Sequence, residues 1–357
     1  MLVALVTAAA MAVGPSVNSP QELQKGLDGV VAIGALAEVR DGGNVWRGSS
    51  GVAELGSSRK VPVAGRFRIG SVTKTFVATV VLQLVAEQRI RLDDSVERWL
   101  PGVVPNGANI TVRQLLNHTS GLYDFKDTLP MPPSPDFYAL QYRTWTATEQ
   151  IQRALAHPPV FDEPGSQYDY SNTNYLLIGE IIEKATGRTY AEEVERRLIR
   201  PLGLHGTTLP GTSPSIKGPH PHGYLPKDGA MVDFTELNPT LFGAAGDMIS
   251  TTRDLNRFFA ALLGGHLLPA RLLDAMKTPG TPDGRYGLGL SWHDTACKVR
   301  VYGNDGDALA YQAYSFATED TRRQVTVAVT PHLPDNPDAS VDAFIDQVIC
   351  RETGHPM

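Results

Sequence analysis

Cysteine is nearly absent: this chain of 357 residues holds only Cys297 and Cys350. Two thiols cannot make a four-thiolate metal centre. Basic charge is also in short supply. Lys and Arg number 32 against 38 Asp and Glu, a net charge of −6. Nucleic-acid and anionic-membrane binders carry a basic excess or stripe, so the balance argues against both. No apolar run is long enough to span a bilayer, so no stable membrane span is expected. Charged residues make up 20% and hydrophobic residues 42%. That composition supplies a sizeable core and rules out wholesale disorder.

What is present starts with an apolar stretch of twelve residues, Leu2 to Val13. It ends in Ala10-Met11-Ala12, an A-x-A pattern, just before Gly14-Pro15. Residues 1–14 therefore read as a signal peptide, although no Lys or Arg precedes the apolar run. The alternative is an N-terminal helix docked on the fold. The cysteines stand 53 positions apart. In an exported chain they would form one disulfide, and in a cytosolic chain two buried thiols.

Strand signals cluster at the two ends of the chain. Val30–Val39 and Val45–Val52 flank Asp41-Gly42-Gly43, a hairpin signal. Further strands are expected over Leu288–Trp292, Val299–Tyr302, Ala310–Ala317 and Gln324–Thr330. Helical periodicity covers Gln21–Leu27, Lys74–Glu87, Asn172–Lys184 and Thr252–Leu263, and a last helix follows the strands. Residues 90–245 show few strand signals, and Leu129–Pro135 is a Pro-rich loop. The expected class is α/β (α+β). An antiparallel sheet built from both termini and flanked by helices would occupy residues 20–75 and 246–357. A mostly helical domain would be inserted over residues 76–245, leaving a cleft between the lobes.

Ser71-Val72-Thr73-Lys74 is an S-x-x-K element at the start of a buried helix. Residues three apart on a helix are neighbours, so Lys74 can reach the Ser71 hydroxyl. The helix N-terminus favours a developing oxyanion. A desolvated lysine loses basicity and can act as a base. Ser57 and Lys60 repeat the spacing, but in a Gly/Ser turn with no helix after it. Tyr170-Ser171-Asn172 adds a phenol able to move a proton and an amide able to meet a substrate carbonyl. Packing between lobes is the competing reading for Tyr168, Tyr170 and Tyr175.

With these residues in place, the chain resembles the serine β-lactamase and penicillin-binding-protein superfamily. More narrowly it looks like the secreted D-alanyl-D-alanine carboxypeptidases of actinobacterial type and the class C β-lactamase-like esterases and amidases. The stretches that carry the likeness are FRIGSVTKTF (67–76), LDDSVERWLPG (92–102), ITVRQLLNHTSGL (110–122), PGSQYDYSNTNY (164–175) and YGLGL (286–290). The resemblance implies Ser71 as nucleophile, Lys74 as base, and Tyr170 and Asn172 as the Y-x-N pair. It also implies a Cys297–Cys350 disulfide and an exported protein, a structural role for His118, and no cofactor.

The family's third motif is altered. The equivalent stretch is Tyr302-Gly303-Asn304-Asp305-Gly306-Asp307-Ala308. Asn304 stands in place of Lys or His, and Asp305 in place of a hydroxyl that holds a substrate carboxylate. Gly306 keeps the small residue that admits substrate. Asp307 would donate a backbone N–H to the oxyanion. Ser291 and Trp292 replace a carboxylate-binding arginine. Two aspartates with no nearby cation should repel an acidic terminus and accept a neutral amide, an ester or an amine. Both could instead turn away from the cleft.

His220 and His222 form an H-x-H without a third ligand, so no metal is expected. The leading expectation is a serine acyl-transfer hydrolase, a peptidase or amidohydrolase, acting on a small-molecule or peptide substrate without a free terminal carboxylate. The alternatives are a D-alanyl-D-alanine carboxypeptidase, an esterase, an acyltransferase or cyclase of secondary metabolism, and a silent peptidoglycan or β-lactam binder.

Overall fold

The computed structural model describes residues 18–282, 284–332 and 335–350. The signal-peptide reading of residues 1–14 lies outside them. Among the described residues the strands, in chain order, are β1 (Gly34–Asp41), β2 (Asn44–Gly51), β3 (Phe67–Arg68), β4 (Tyr224–Lys227), β5 (Ala230–Asp233), β6 (Ile249–Ser250), β7 (Ser291–Asp294), β8 (Arg300–Asp307), β9 (Gln312–Thr318) and β10 (Arg323–Thr330). Six of them form one antiparallel sheet in the order β2-β1-β10-β9-β8-β7. The N-terminal hairpin thus joins the C-terminal meander through the β1–β10 pair. The antiparallel sheet drawn from both ends of the chain is the architecture expected from the sequence.

Both faces of this sheet are covered, which explains why β1 is buried from Gly34 to Val39. Ala35, Ala37 and Val39 face a core shared with two helices, Pro20–Asp28 and Asp338–Ile349. The first of these begins in a capping box, in which Ser19 accepts from the Glu22 amide and Glu22 returns the bond. A disulfide between Cys297 and Cys350, with Cα atoms 5.4 Å apart, ties the end of the last helix to the turn before β8. Leu36 faces the larger core, built around the helix Val72–Ala86. That helix is apolar all round and buried over nearly its whole length. Phe76 stacks on Phe258 at 3.6 Å, locking it to the helix Thr252–Leu263.

The strand expected over Leu288–Trp292 is displaced to Ser291–Asp294. Gly289 has φ of +74°, and a Cβ there would lie 2.4 Å from that of Ala78. The YGLGL stretch is therefore a tight irregular turn pressed on the helix Val72–Ala86, and pairing begins only after it. Two short two-stranded ribbons complete the strands: β4 pairs with β5 within the helical part, and β3 pairs with β6 at its two borders.

Candidate functional site

Ser71 is the N-cap of the helix Val72–Ala86. It follows Gly70, held at φ +49°, where a Cβ would sit 2.5 Å from the Asp307 carbonyl oxygen and 2.8 Å from its nitrogen. Gly306 meets the same junction from the other side: its Cβ would lie 2.0 Å from the Ile69 oxygen and 2.8 Å from the Ser71 nitrogen. The two glycines bring the end of β8 against the start of the helix. The backbone amides of Ser71 and Asp307 therefore lie side by side. Gly306 serves this backbone contact rather than opening space for substrate.

Lys74 is fully buried one turn along. Its Nζ donates to Ser71 Oγ at 3.0 Å, Asn172 Oδ1 at 2.8 Å and the Ala245 carbonyl at 2.8 Å. Burial lowers its pKa to about 7, with Asp124 and then Asp305 pulling it back up. The ammonium and amine forms are thus both populated near neutral pH. Tyr170 donates from its hydroxyl to Ser71 Oγ at 2.7 Å. Burial raises its pKa well above 10, so the phenol is neutral.

Asn172 opens the helix Asn172–Thr186, and its Nδ2 donates to Asp124 at 2.7 Å. His118 is buried against the Tyr170 ring at 4.1 Å and accepts from the Ser171 amide at 3.2 Å. Burial holds its pKa well below 6.5.

A cleft of about 480 Å³ opens above Ser71, Tyr170 and Asn172, within the size range of small-molecule sites. Along β8 the pleat decides which third-motif residues reach it. Asn304 and Gly306 turn inward, while Asp305 and Asp307 are exposed at the cleft. Asn304 touches the cleft floor, but its amide is committed to Thr75 Oγ1 at 3.1 Å and Ser71 O at 3.5 Å. It braces the start of the helix Val72–Ala86 rather than presenting a free amide to the cleft. Asp305 opens onto the cleft beside Tyr168 and Tyr286. Asp307 also lines it, but its Oδ1 is occupied by the Leu309 amide at 2.6 Å. Enclosure by the walls raises both carboxyl pKa values, although each side chain keeps contact with solvent.

Two expectations are corrected. Ser291 and Trp292 do not line the cleft. They belong to β7, one strand outboard of β8; Ser291 Oγ donates to Gly303 O at 3.1 Å, and Trp292 is buried against Tyr302. The cleft is also not without a cation, since Lys126 lines it. Nothing in the S-x-x-K or Y-x-N spacing pointed to Lys126 or Asp124. Both follow the HTSGL stretch within six residues, so that stretch was the signal available. Outside the cleft, Ser57 donates to the Glu54 carbonyl at 3.0 Å within its turn. His222 pairs with Asp233 at 2.6 Å, and His220 contacts the Gly218 carbonyl.

The β-lactamase family model matches residues 21–349. The D-stereospecific amidohydrolase of a Streptomyces species superposes with a TM-score of 0.85 at 38% identity, over 93% of this chain and 99% of that one. The D-amino acid amidase of Ochrobactrum anthropi SV3, solved with L-phenylalanine amide, gives 0.78 at 30% identity, over 91% of this chain and 96% of that one. Penicillin-binding protein 4* of Bacillus subtilis is 28% identical over 81% of this chain, which spans 66% of that protein's length. By the extent of these matches, the chain belongs to the β-lactamase family of serine acyl-transfer hydrolases.

Proposed function

We propose that this protein is a serine amidohydrolase for amides of apolar D-amino acids, or short peptides of them, with a free α-amino group. The observation that carries the reaction is the convergence of Lys74 and Tyr170 on one hydroxyl, at 3.0 and 2.7 Å. In its amine form Lys74 takes the proton as Ser71 Oγ attacks the amide carbonyl. The backbone N–H groups of Ser71 and Asp307 hold the oxyanion. The neutral Tyr170 relays the proton to the departing amine, and water then releases the acid from Ser71.

The lining supports the substrate class. Asp305 beside the Tyr168 and Tyr286 rings suits an α-ammonium group. With Asp307 it outnumbers Lys126, so a free carboxylate at this end is disfavoured. An apolar patch at the cleft edge, where Met131 and Phe242 meet Phe125, Leu129, Phe137 and Leu241, favours an apolar side chain lying along it. The D preference rests on what the two superposed amidohydrolases are named for. The Cys297–Cys350 bond supports an exported protein, because such bonds persist in oxidising compartments. Steady-state kinetics on D-phenylalanine amide, its N-acetyl derivative, its L enantiomer and D-alanyl-D-alanine tests the assignment. The free-amino D-amide should lead in kcat/KM by at least ~10-fold, about 1.4 kcal/mol. Equal rates for the N-acetyl amide or the acidic dipeptide would refute it.

A further inference from the structure

The hairpin turn between β8 and β9 bends at a leucine. Ala308 donates its amide to the Tyr311 carbonyl at 2.8 Å, so Leu309 and Ala310 are the two central residues. Leu309 has φ of +67°. Two-residue hairpin turns usually give such a position to glycine, because a Cβ there crowds the backbone. Every other non-glycine residue with positive φ among the described residues is polar. The surroundings hold the turn in place. Asp307 Oδ1 accepts from the Leu309 amide at 2.6 Å. The Tyr311 hydroxyl donates to the Pro221 carbonyl at 2.7 Å. Gly223 lies so close that a Cβ on it would be 2.7 Å from that of Ala310. Strain fixed in this way at the rim of a site points to a use for the side chain that imposes it.

Leu309, Met131 and Phe242 are the apolar residues that border both the catalytic cleft and the recess behind its edge. That recess, walled by Phe125, Phe137 and Leu241, keeps only about 20 Å³ of space, room for about one water. Leu309 itself is half-buried, with its side chain against the larger core. The Asp307 amide, assigned above to the oxyanion, stands two residues before Leu309, at most about 7 Å along the chain. An acyl group on Ser71 therefore has the substituent on its α-carbon within reach of this rim.

We propose that Leu309 sets the size limit for the acyl side chain. It stoppers the apolar recess, so a substrate side chain lies along the patch and does not enter it. The inference rests on acyl transfer at Ser71 and deepens the proposed function by naming the residue that selects among apolar side chains. Removing the stopper joins the recess to the cleft and admits a bulkier group. A glycine at 309 would also make the turn without strain. Leucine therefore keeps its place through its side chain, either as the limit on substrate size or as packing alone, and the two differ in what a substitution changes.

The test is the ratio of kcat/KM for D-tryptophan amide to that for D-alanine amide, with thermal melts beside it. In Leu309→Gly the ratio should rise at least ~10-fold over the parent, the scale on which apolar pockets discriminate by size. Leu309→Ala, which keeps the strain but loses the stopper, should move it the same way and serves should the glycine variant fold poorly. Leu309→Met conserves volume and should hold the parent's ratio. A second arm compares p-nitrophenyl 3-phenylpropionate with p-nitrophenyl acetate, which carry neither an ammonium group nor a D centre. Its ratio should rise in the same two variants. Failure of the amide arm in every form, with the ester ratio shifting as expected, would count against the D-amino acid amide reading and leave Leu309 its role. Ratios that stay put in Leu309→Gly and Leu309→Ala, with only the melting temperature changed, would overturn the proposal and make Leu309 a packing residue. A ratio that moves as far in Leu309→Met would overturn it too, as would the absence of turnover in both arms.

Discussion

Replacing Asp124 by asparagine tests which group takes the proton from Ser71. Asp124 Oδ2 accepts from Asn172 Nδ2 at 2.7 Å, and Asn172 Oδ1 accepts from Lys74 Nζ at 2.8 Å. Across the amide, the carboxylate stands roughly 7 Å from the ammonium, which at an effective dielectric of about 20–40 is worth roughly 1–2.5 kcal/mol, or about one pH unit and somewhat more. The sign follows from the charges. Asp124 stabilises the ammonium form and raises the Lys74 pKa, against the larger lowering by burial. Removing its charge must lower that pKa. Since only the amine can accept a proton, kcat/KM should fall on the acid side with a midpoint near 7 in the parent enzyme. In Asp124→Asn the midpoint should move down by about one unit. Lys126 pushes the other way, so Lys126→Gln should move it up. The assay is a pH profile of kcat/KM on an amide or ester substrate, with thermal melts to confirm folding. An acid limb that stays put in Asp124→Asn, or moves up, would refute Lys74 as the base.

Gly306→Ala should cost about 10²-fold or more in kcat, because its Cβ would sit 2.0 Å from the Ile69 oxygen and drive β8 off the Ser71 amide; a variant with unchanged kcat would show that this junction does not set the oxyanion site. Replacing Cys297 and Cys350 by serine opens a link spanning 53 residues. By loop-closure entropy that should cost about 4 kcal/mol of stability, read in denaturant unfolding, with the kinetics of the folded enzyme little changed because the bond lies on the far face of the sheet from Ser71.

Much of this architecture could be read from the residues because its signals are local. The hairpin around Gly42-Gly43 needed only its turn. The helices Pro20–Asp28 and Thr252–Leu263 announce themselves through apolar periodicity, and the structure adds their caps at Ser19 and Thr251. Ser71, Lys74, Tyr170 and Asn172 converge because two helix starts hold them, and both starts are visible in the chain. What failed depended on neighbours distant in sequence. Ser291 and Trp292 sit close to the motif along the chain, yet β7 pairs outboard of β8 and carries them away from the cleft. Asn304 and Asp305 are adjacent, but the pleat sends one into the Thr75 contact and the other into the cleft. Strand alternation was available as a signal for that split, had β8 been extended through the motif. Lys126 enters the cleft from a short turn whose position depends on how the helical part folds over the sheet.

The central claim is that Ser71 carries the acyl group during turnover. The direct measurement is rapid acid quenching during hydrolysis of a D-phenylalanine ester, followed by peptide mass mapping. The account predicts one acyl adduct per chain on the peptide containing Ser71, and none in Ser71→Ala, which should fold normally and be inactive. Full turnover by Ser71→Ala, or an adduct mapped to any other residue, would contradict it.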